Sequence, residues 1–143
     1  MSEIVCPACG AINRLPPEKP ASEAKCGKCQ IPLFDGHPVN LDARGFARHL
    51  ARNSIPVVVD FWADWCGPCK TMAPEFLKAA GVMEPTVRFA KLDTEAAHNE
   101  AAAHGIRSIP TMILFRNGQE VARQSGAMAA GQIVQWLRQT LRG

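Results

Sequence analysis

The apolar and polar positions of the chain fall into segments with helical or strand-like spacing, beginning near residue 42. Phe46 and Leu50 recur at helical spacing, and Asp42 before them can cap a helix that ends near Arg52. The run that follows over 56–62, Pro-Val-Val-Val-Asp-Phe-Trp, is dominated by β-branched and aromatic residues. Such a run is typical of a strand that is buried on both faces of a sheet. The pattern therefore predicts a helix followed by a central strand.

Strand and helix patterns continue to alternate through the rest of the chain. The predicted elements are a helix that begins near Cys66, a strand over 86–92, an Ala-rich helix over 94–103, a strand over 111–115, a strand over 120–124 and a helix over 128–141. Asn117-Gly118, between the last two strands, predicts a hairpin turn. Strands that alternate with helices and end in a hairpin and a helix predict an α/β domain with a mixed central sheet.

The N-terminal segment has a different character. Residues 1–33 are rich in Cys, Pro and Gly, contain four of the six cysteines and show no apolar periodicity. A segment this short cannot build a sufficient core and needs a disulfide or metal staple. The turn-rich stretch that follows marks a boundary. We therefore expect a small module over 1–33, a linker over 34–37 and the α/β domain over 38–143.

Composition and charge disfavour several classes of partner. Hydrophobic residues make up 47% of the 143 residues, which is enough for a packed core. The net charge of +3 is spread along the chain without a Lys/Arg run, so neither nucleic acid nor an anionic membrane is expected as a main partner. No apolar stretch reaches the ~18 residues of a membrane span. The first residues also lack the basic and apolar stretches of a secretory signal, so we expect a cytoplasmic protein.

All six cysteines occur as Cys-x-x-Cys pairs, which in a reducing compartment indicate metal ligands or redox centres. Cys6/Cys9 and Cys26/Cys29 are separated by sixteen residues, which is the pattern of a zinc ribbon. Four thiolates directed at one point complete a tetrahedral Zn²⁺ site with no open position. We therefore expect one zinc per chain, in a module that is structural or senses oxidation. Two reversible disulfides, free thiols, or iron in place of zinc remain alternatives.

The third pair, in Trp65-Cys66-Gly67-Pro68-Cys69-Lys70, lies between a buried strand and a helix. Unpaired N–H groups and the helix dipole stabilise negative charge at a helix N-terminus, and a thiolate is the nucleophile of disulfide exchange. Cys66 is therefore the expected attacking thiol. Cys69 lies one turn inside the helix, where we expect it to be more buried. It suits the resolving role, in which it attacks the mixed disulfide and releases the reduced substrate.

The residues around this third pair resemble the active-site segment of the thioredoxins. Residues 59–70 read Val-Asp-Phe-Trp-Ala-Asp-Trp-Cys-Gly-Pro-Cys-Lys. The resemblance continues, in order and at the family's spacings, through 72–74, 89–93, 105–111 and 115–118. It covers the chain from about Pro38 to its end. It implies a thioredoxin fold, with a mixed central sheet flanked by helices, and a protein-disulfide reductase activity.

The resemblance also implies roles for individual residues. Asp60 matches the family's buried carboxylate, which helps to deprotonate the resolving Cys69, and Lys91 matches the lysine beside it. Pro110 matches a proline held in the cis form, whose preceding residue pairs with the substrate backbone. The residues expected to contact substrate are Trp65, Gly67, Pro68, Ile109 and Pro110.

The combination of a zinc ribbon with a Cys-Gly-Pro-Cys domain resembles the bacterial thioredoxin 2 group of that family. This resemblance implies a reductase of disulfide-containing proteins that binds no organic cofactor itself and is recharged by an NADPH-dependent flavoprotein, thioredoxin reductase. One alternative is a ribbon that recruits the redox domain to a protein or nucleic acid, but residues 1–37 carry no net charge and few aromatics. A disulfide-forming oxidase or isomerase is another, although Gly67-Pro68 resembles the reducing members.

Overall fold

The computed structural model describes residues 2–142 and contains two β-sheets. The smaller is an antiparallel pair of β1 (Ser2–Val5) and β2 (Ile12–Leu15). The larger contains β3 (Val39–Leu41), β4 (Val57–Trp62), β5 (Arg88–Asp93), β6 (Thr111–Arg116) and β7 (Gln119–Ser125). The helices are α1 (Ala43–Arg52), α2 (Gly67–Met83), α3 (His98–Ala103) and α4 (Ala130–Arg142). Within residues 2–142, none of these helices is both long and apolar enough to cross a membrane.

The five-stranded sheet is mixed and has the order β3-β5-β4-β6-β7. β3 and β4 run parallel to β5, whereas β6 runs antiparallel to β4 and β7 antiparallel to β6. β4 lies in the centre, and burial on both faces explains its nearly continuous apolar sequence. Helices α2 and α4 pack on one face of the sheet, and α1 and α3 pack on the other. The predicted α/β architecture, with helices flanking a mixed sheet, is confirmed.

The side chains of β4 alternate between two cores. Val58 belongs to the cluster that contains Met72 of α2, whereas Phe61 packs edge-on against Phe46 of α1. Since successive strand residues point to opposite faces, Asp60 lies on the same face as Val58. The buried carboxylate and the first turns of α2 are therefore on the same side of the sheet.

The element boundaries differ from the prediction mainly at α3. This helix begins at His98, four residues later than predicted. Thr94 donates its backbone N–H and its hydroxyl to the Trp62 carbonyl oxygen, at 2.8 and 3.2 Å, and the Asp93 carboxylate accepts the Glu95 N–H at 2.9 Å. These bonds fix the chain in a turn at the ends of β4 and β5. β3 has only three residues, too few for a periodic signal, and the sequence pattern does not predict it.

The N-terminal segment contains an apolar cluster that the sequence pattern also does not predict. Its buried members are Ile4, Cys6, Leu15, Ala24, Cys26, Leu33 and Phe34. Ile55, which follows α1, packs against this cluster from the larger domain. Because the cluster has seven buried members and two of them are cysteines, it supplements a staple rather than replacing it.

The N-terminal segment contacts the larger domain near the starts of β4 and β5. The Asn53 side chain accepts the Val5 N–H at 2.8 Å, and Arg88 donates to the Leu33 carbonyl oxygen at 2.6 Å. The Arg88 guanidinium also lies 4.1 Å from the centre of the Phe34 ring. Arg88 is the first residue of β5 and pairs with the first residue of β4. Five strand steps of about 3.3 Å place this contact about 17 Å from the far end of β4.

Candidate active site and metal centre

Cys66 and Cys69 lie at the N-terminus of α2, beyond the end of β4 that is remote from the N-terminal segment. Cys66 is the N-cap residue of α2, and its Sγ accepts the Cys69 N–H at 3.2 Å. The two sulfur atoms are joined in a disulfide. Pro68 occupies the first turn, where a helix has no partner for the missing N–H. The start of one helix thus brings both predicted redox cysteines into bonding geometry.

Burial does not distinguish the two cysteines, contrary to the expectation that Cys69 is clearly more buried. Their exposed fractions are 4% for Cys66 and 3% for Cys69. Position distinguishes them instead, because the N-cap sulfur lies where helix N–H groups and the helix dipole favour negative charge. The Cys66 Sγ also lies 3.6 Å from the Ile109 carbonyl oxygen, beside the loop that precedes β6.

The predicted substrate-contacting residues surround Cys66. The Ile109–Pro110 peptide bond is cis, as the family resemblance implies. Trp65 is 70% exposed, and its Nε1 donates to a Glu95 carboxylate oxygen at 2.6 Å. Gly67 and Pro68 are exposed, Ile109 is half-buried and Pro110 is buried. The structure therefore collects the exposed tryptophan, the first helical turn and the loop before β6 into one surface around the disulfide.

Asp60 is fully buried, and neither of its carboxylate oxygens has a hydrogen-bond partner among residues 2–142. Burial raises the pKa of Asp60 from 3.8 to about 7, against the opposing effect of the nearby Lys91 charge. Lys91 is the register partner of Asp60 in β5, and its Nζ lies 4.6 Å from the centre of the Trp62 ring. A buried carboxyl group that titrates near neutral pH can accept and return a proton during a reaction.

The other four cysteines converge on a single point. The sulfur atoms of Cys6, Cys9, Cys26 and Cys29 all lie within 4.8 Å of one another. The Cys6 and Cys29 sulfurs are 3.5 Å apart, and the Cys9 and Cys26 sulfurs are 3.7 Å apart. A tetrahedral zinc centre with Zn–S bonds of ~2.3 Å places its sulfurs ~3.8 Å apart. The donor set and its spacing therefore fit one Zn²⁺.

Backbone N–H groups point at the sulfur atoms of this cluster. The Cys6 Sγ accepts the N–H groups of Ala8 and Cys9, each at 3.4 Å. The Cys26 Sγ accepts the Lys28 N–H at 3.4 Å in the equivalent way. Both Cys-x-x-Cys turns thus present hydrogen-bond donors that favour thiolate over thiol, the form that a metal binds.

The cluster shifts its thiol pKa values in opposite directions. The Cys29 N–H, followed by the Asn13 side chain, lowers the pKa of Cys26 to about 6. The Ile31 N–H acts to lower the pKa of Cys29, but burial and the other thiols together raise it to about 12. Four negative charges repel one another at this point, and a dication between them would allow all four thiols to ionise.

Comparisons with known proteins agree with this geometry. A family model described as Thioredoxin matches residues 37–139. This chain belongs to the thioredoxin family. It is accordingly a thiol–disulfide oxidoreductase, a protein-disulfide reductase that cycles Cys66 and Cys69 between dithiol and disulfide. A second family model, described as Thioredoxin 2, N-terminal, matches residues 5–30, which include all four cysteines of the cluster. The predicted family and zinc-ribbon module are confirmed.

Two thioredoxins from other organisms align with more than half of this chain. Thioredoxin C-3 of Corynebacterium nephridii is 46% identical over 138 residues, which cover 96% of this chain and 94% of that protein. A thioredoxin of Mycoplasma pneumoniae is 49% identical over 83 residues, which cover 58% of this chain and 80% of that protein. The crystal structure of chloroplastic thioredoxin z superimposes with a TM-score of 0.69 at 24% identity, covering 75% of this chain and 96% of that one, and it supports the fold.

The sequence predicts the cysteines of the disulfide and those of the four-sulfur cluster but misses the residues that hold them in place. Glu95 fixes Trp65 from 30 residues away, and Arg88 bonds to Leu33 from 55 residues away. Asn13 accepts the N–H of the residue after Cys26 at 2.9 Å and so joins the two halves of the metal cluster. No local pattern marks these residues, because each acts on a partner that only the folded chain brings near.

Proposed function

We propose that the protein reduces disulfides in other proteins by two successive exchanges that begin at Cys66. The Cys66 thiolate attacks one sulfur of the substrate disulfide, forms a mixed disulfide and releases the other sulfur as a thiolate. The Cys69 thiol then loses its proton and attacks the Cys66 Sγ, which releases the second substrate sulfur. Two electrons pass to the substrate, and the Cys66–Cys69 disulfide is left. The position of Cys66 at the N-cap of α2 is the observation that carries this assignment.

We propose Asp60 as the acceptor of the Cys69 proton in the second exchange. Its pKa of about 7 matches a group that must take up a proton at neutral pH and give it back later. Lys91 is proposed to stabilise the carboxylate form, because its charge acts to lower the Asp60 pKa. The contact between the Lys91 ammonium group and the Trp62 ring keeps this charge near the Asp60 carboxylate.

The proposed substrate surface consists of Trp65, Gly67, Pro68, Ile109 and Pro110. An extended substrate segment can pair with the Ile109 backbone, since its carbonyl oxygen lies 3.6 Å from the attacking sulfur. The exposed Trp65 ring, fixed by Glu95, offers apolar area next to the first helical turn. Exposed glycine and proline at the helix start allow a partner backbone to approach the disulfide closely.

We further propose one structural Zn²⁺ per chain, held by the four N-terminal cysteines. The division into a module over 1–33, a linker over 34–37 and a redox domain over 38–143 is part of the same proposal. The expected source of electrons is a thioredoxin reductase, an NADPH-dependent flavoprotein. A cytoplasmic location suits this chemistry, because a reducing compartment keeps the metal thiolates and the Cys66/Cys69 dithiol available.

Insulin reduction followed by turbidity, with dithiothreitol as electron donor, tests the order of the two exchanges. Cys66→Ser should lose turnover, because the attacking sulfur is gone. Cys69→Ser should also lose turnover but should accumulate a mixed disulfide with substrate, visible on non-reducing gels. The two variants are matched controls for each other. A substrate trapped by Cys66→Ser, and not by Cys69→Ser, would reverse the assignment.

Metal analysis of anaerobically purified protein tests the zinc proposal. We expect about one zinc per chain, as a single closed tetrahedral site predicts. Cys26→Ser should lose the metal because it removes one of the four ligands, whereas Cys69→Ser should keep it. Protein without metal, in which all six cysteines titrate as free thiols, would contradict the assignment.

A further inference from the structure

A groove separates the N-terminal segment from α1, and neither Cys66 nor Cys69 lines it. It encloses about 1130 Å³. One wall is formed by residues 5–11 together with Lys28, and the other by the end of β3 and by α1. We call it the α1 groove. The exchange chemistry described above makes no use of it.

The α1 groove is strongly cationic. Its charged lining consists of Lys28, Arg44, Arg48, Arg52 and Asp42. The three arginines are four residues apart on α1, so they form one row with steps of about 6 Å. Asp42 is the one acidic lining residue in the described part of the chain, and its carboxylate accepts the Gly45 N–H at 2.7 Å as the helix cap. Burial, with the Arg88 and Arg48 charges, lowers the pKa of the lining residue His49 to about 4, so this side chain is neutral at pH 7.

Direct contacts hold the walls of the groove together. The Arg48 Nε donates to the Gly10 carbonyl oxygen, and an Arg52 Nη2 lies 3.4 Å from a Glu3 carboxylate oxygen. Arg44 is exposed and forms no ion pair within residues 2–142, and the same holds for Lys28 in the opposite wall. The groove is therefore preformed and carries positive charge that the fold itself does not neutralise.

One end of the groove lies near the active site. Leu41, which lines that end, pairs with Leu92 in β5, and Leu92 pairs with Phe61 in β4. Because neighbouring strands are about 4.8 Å apart, Leu41 is about 10 Å across the sheet from Phe61. The chain passes from Phe61 to the attacking Cys66 in five residues. A single bound protein can therefore reach the groove and the disulfide together.

We propose that the α1 groove docks an acidic segment of the protein substrate whose disulfide is reduced at Cys66. This inference rests on the proposed function, since it assigns a second contact to the substrates of that reaction. Carboxylates along an extended or helical segment would pair with the arginine row and with Lys28. Nucleic acid fits less well, because no Phe or Trp ring lines the groove in the described residues for bases to stack on.

The test uses two synthetic disulfide peptides that share one cystine and one six-residue Gly/Ser spacer. The spacer reaches about 20 Å when extended. One peptide ends in four Glu residues and the other in four Gln residues. The rate constant for oxidation of the reduced full-length protein is measured for each at low salt and at 0.5 M NaCl. We expect the Glu peptide to react about three- to tenfold faster at low salt and about equally at high salt.

Variants that each remove one positive charge show which part of the surface causes the preference for the Glu peptide. Arg44→Gln and Lys28→Gln should each reduce the Glu/Gln rate ratio toward one. Arg138→Gln, an exposed cation on α4 at the opposite face of the sheet, should keep the ratio. An equal fall of the Glu/Gln rate ratio in Arg138→Gln would indicate a general effect of net charge and would overturn the proposal that the groove docks the substrate.

The remaining outcomes separate this inference from the proposed function. Equal rates for the two peptides at low salt would overturn docking but leave the reductase mechanism intact. Failure of the reduced protein to react with either peptide would overturn the proposed mechanism itself. A single-stranded oligonucleotide that binds in an Arg44-dependent manner, while the Glu tail gives no advantage, would assign the groove to nucleic acid instead.

Discussion

Replacement of Asp60 by Asn should stabilise the fold, and the gain should be larger at pH 8 than at pH 5. Asp60 is fully buried without a hydrogen-bond partner for either carboxylate oxygen in the described residues. Burial raises its pKa from 3.8 to about 7, even though Lys91 acts in the opposite direction. Asparagine is neutral and has nearly the same shape as protonated aspartic acid. The substitution therefore removes the ionisation and little else.

The sign and size of the effect follow from proton linkage. Between pH 3.8 and about 7 the unfolded chain has released the Asp60 proton and the folded protein has kept it. The free energy of unfolding therefore falls as the pH rises through this window and is constant above it. A difference of about three pKa units corresponds to roughly 4 kcal/mol. About 3 kcal/mol of this loss occurs between pH 5 and pH 8, and Asp60→Asn should avoid it.

Urea unfolding of the oxidised protein at pH 5 and pH 8 measures this difference. Asp64→Asn is the matched control, because the Asp64 side chain is 90% exposed beside the same active site. We expect the stability gain of Asp60→Asn to be about 3 kcal/mol larger at pH 8 than at pH 5. The control should show no such change. An equal effect of Asp60→Asn at both pH values would refute the linkage argument.

Three further predictions concern the buried Arg88–Glu84 pair, the N-terminal segment and Lys91. Arg88→Met should lower the free energy of unfolding in urea by about 3–5 kcal/mol, because it strands the equally buried Glu84 carboxylate 3.5 Å away, and addition of Glu84→Gln should recover most of this loss. A fragment that begins at His37 should fold and reduce a small, uncharged disulfide at a similar rate, since the N-terminal segment contacts the end of β4 that is about 17 Å from the active-site end; near-complete loss of activity would contradict this. Lys91→Met should raise the pKa of Asp60 above about 7, because the Lys91 charge lowers it, and an NMR titration of the carboxyl carbon would show an unchanged value if the two groups do not interact.

The parts of the fold that the sequence predicts are those with strong local signals. A nearly continuous apolar run predicts β4, because both faces of this strand are buried. The Asp42 cap of α1 is confirmed, as its carboxylate accepts the Gly45 N–H. The four-cysteine cluster is predictable because Cys-x-x-Cys turns fix the sulfur positions locally, and only the distance between the two turns depends on the rest of the chain.

The parts that the sequence does not predict depend on contacts between distant segments. α3 loses its first residues to hydrogen bonds with the end of β4, and these bonds override the helix propensity of an Ala-rich stretch. In the sequence, Arg88 looks like an ordinary exposed charge at the start of a strand. In the structure its side chain is 1% exposed and contacts Leu33 and Phe34. Its burial follows from the placement of the N-terminal segment, which no periodicity in either segment encodes.

The position of the four-cysteine cluster limits how it can affect the reaction. The N-terminal segment contacts Arg88 and Asn53, at the end of the sheet remote from Cys66, so its unfolding would not uncover the attacking sulfur. It would instead remove Gly10 and Lys28, which belong to one wall of the α1 groove. Strong oxidants convert metal thiolates to disulfides and release the metal. Oxidation of the cluster should therefore change which protein substrates are preferred, while the rate with small, uncharged disulfides stays the same.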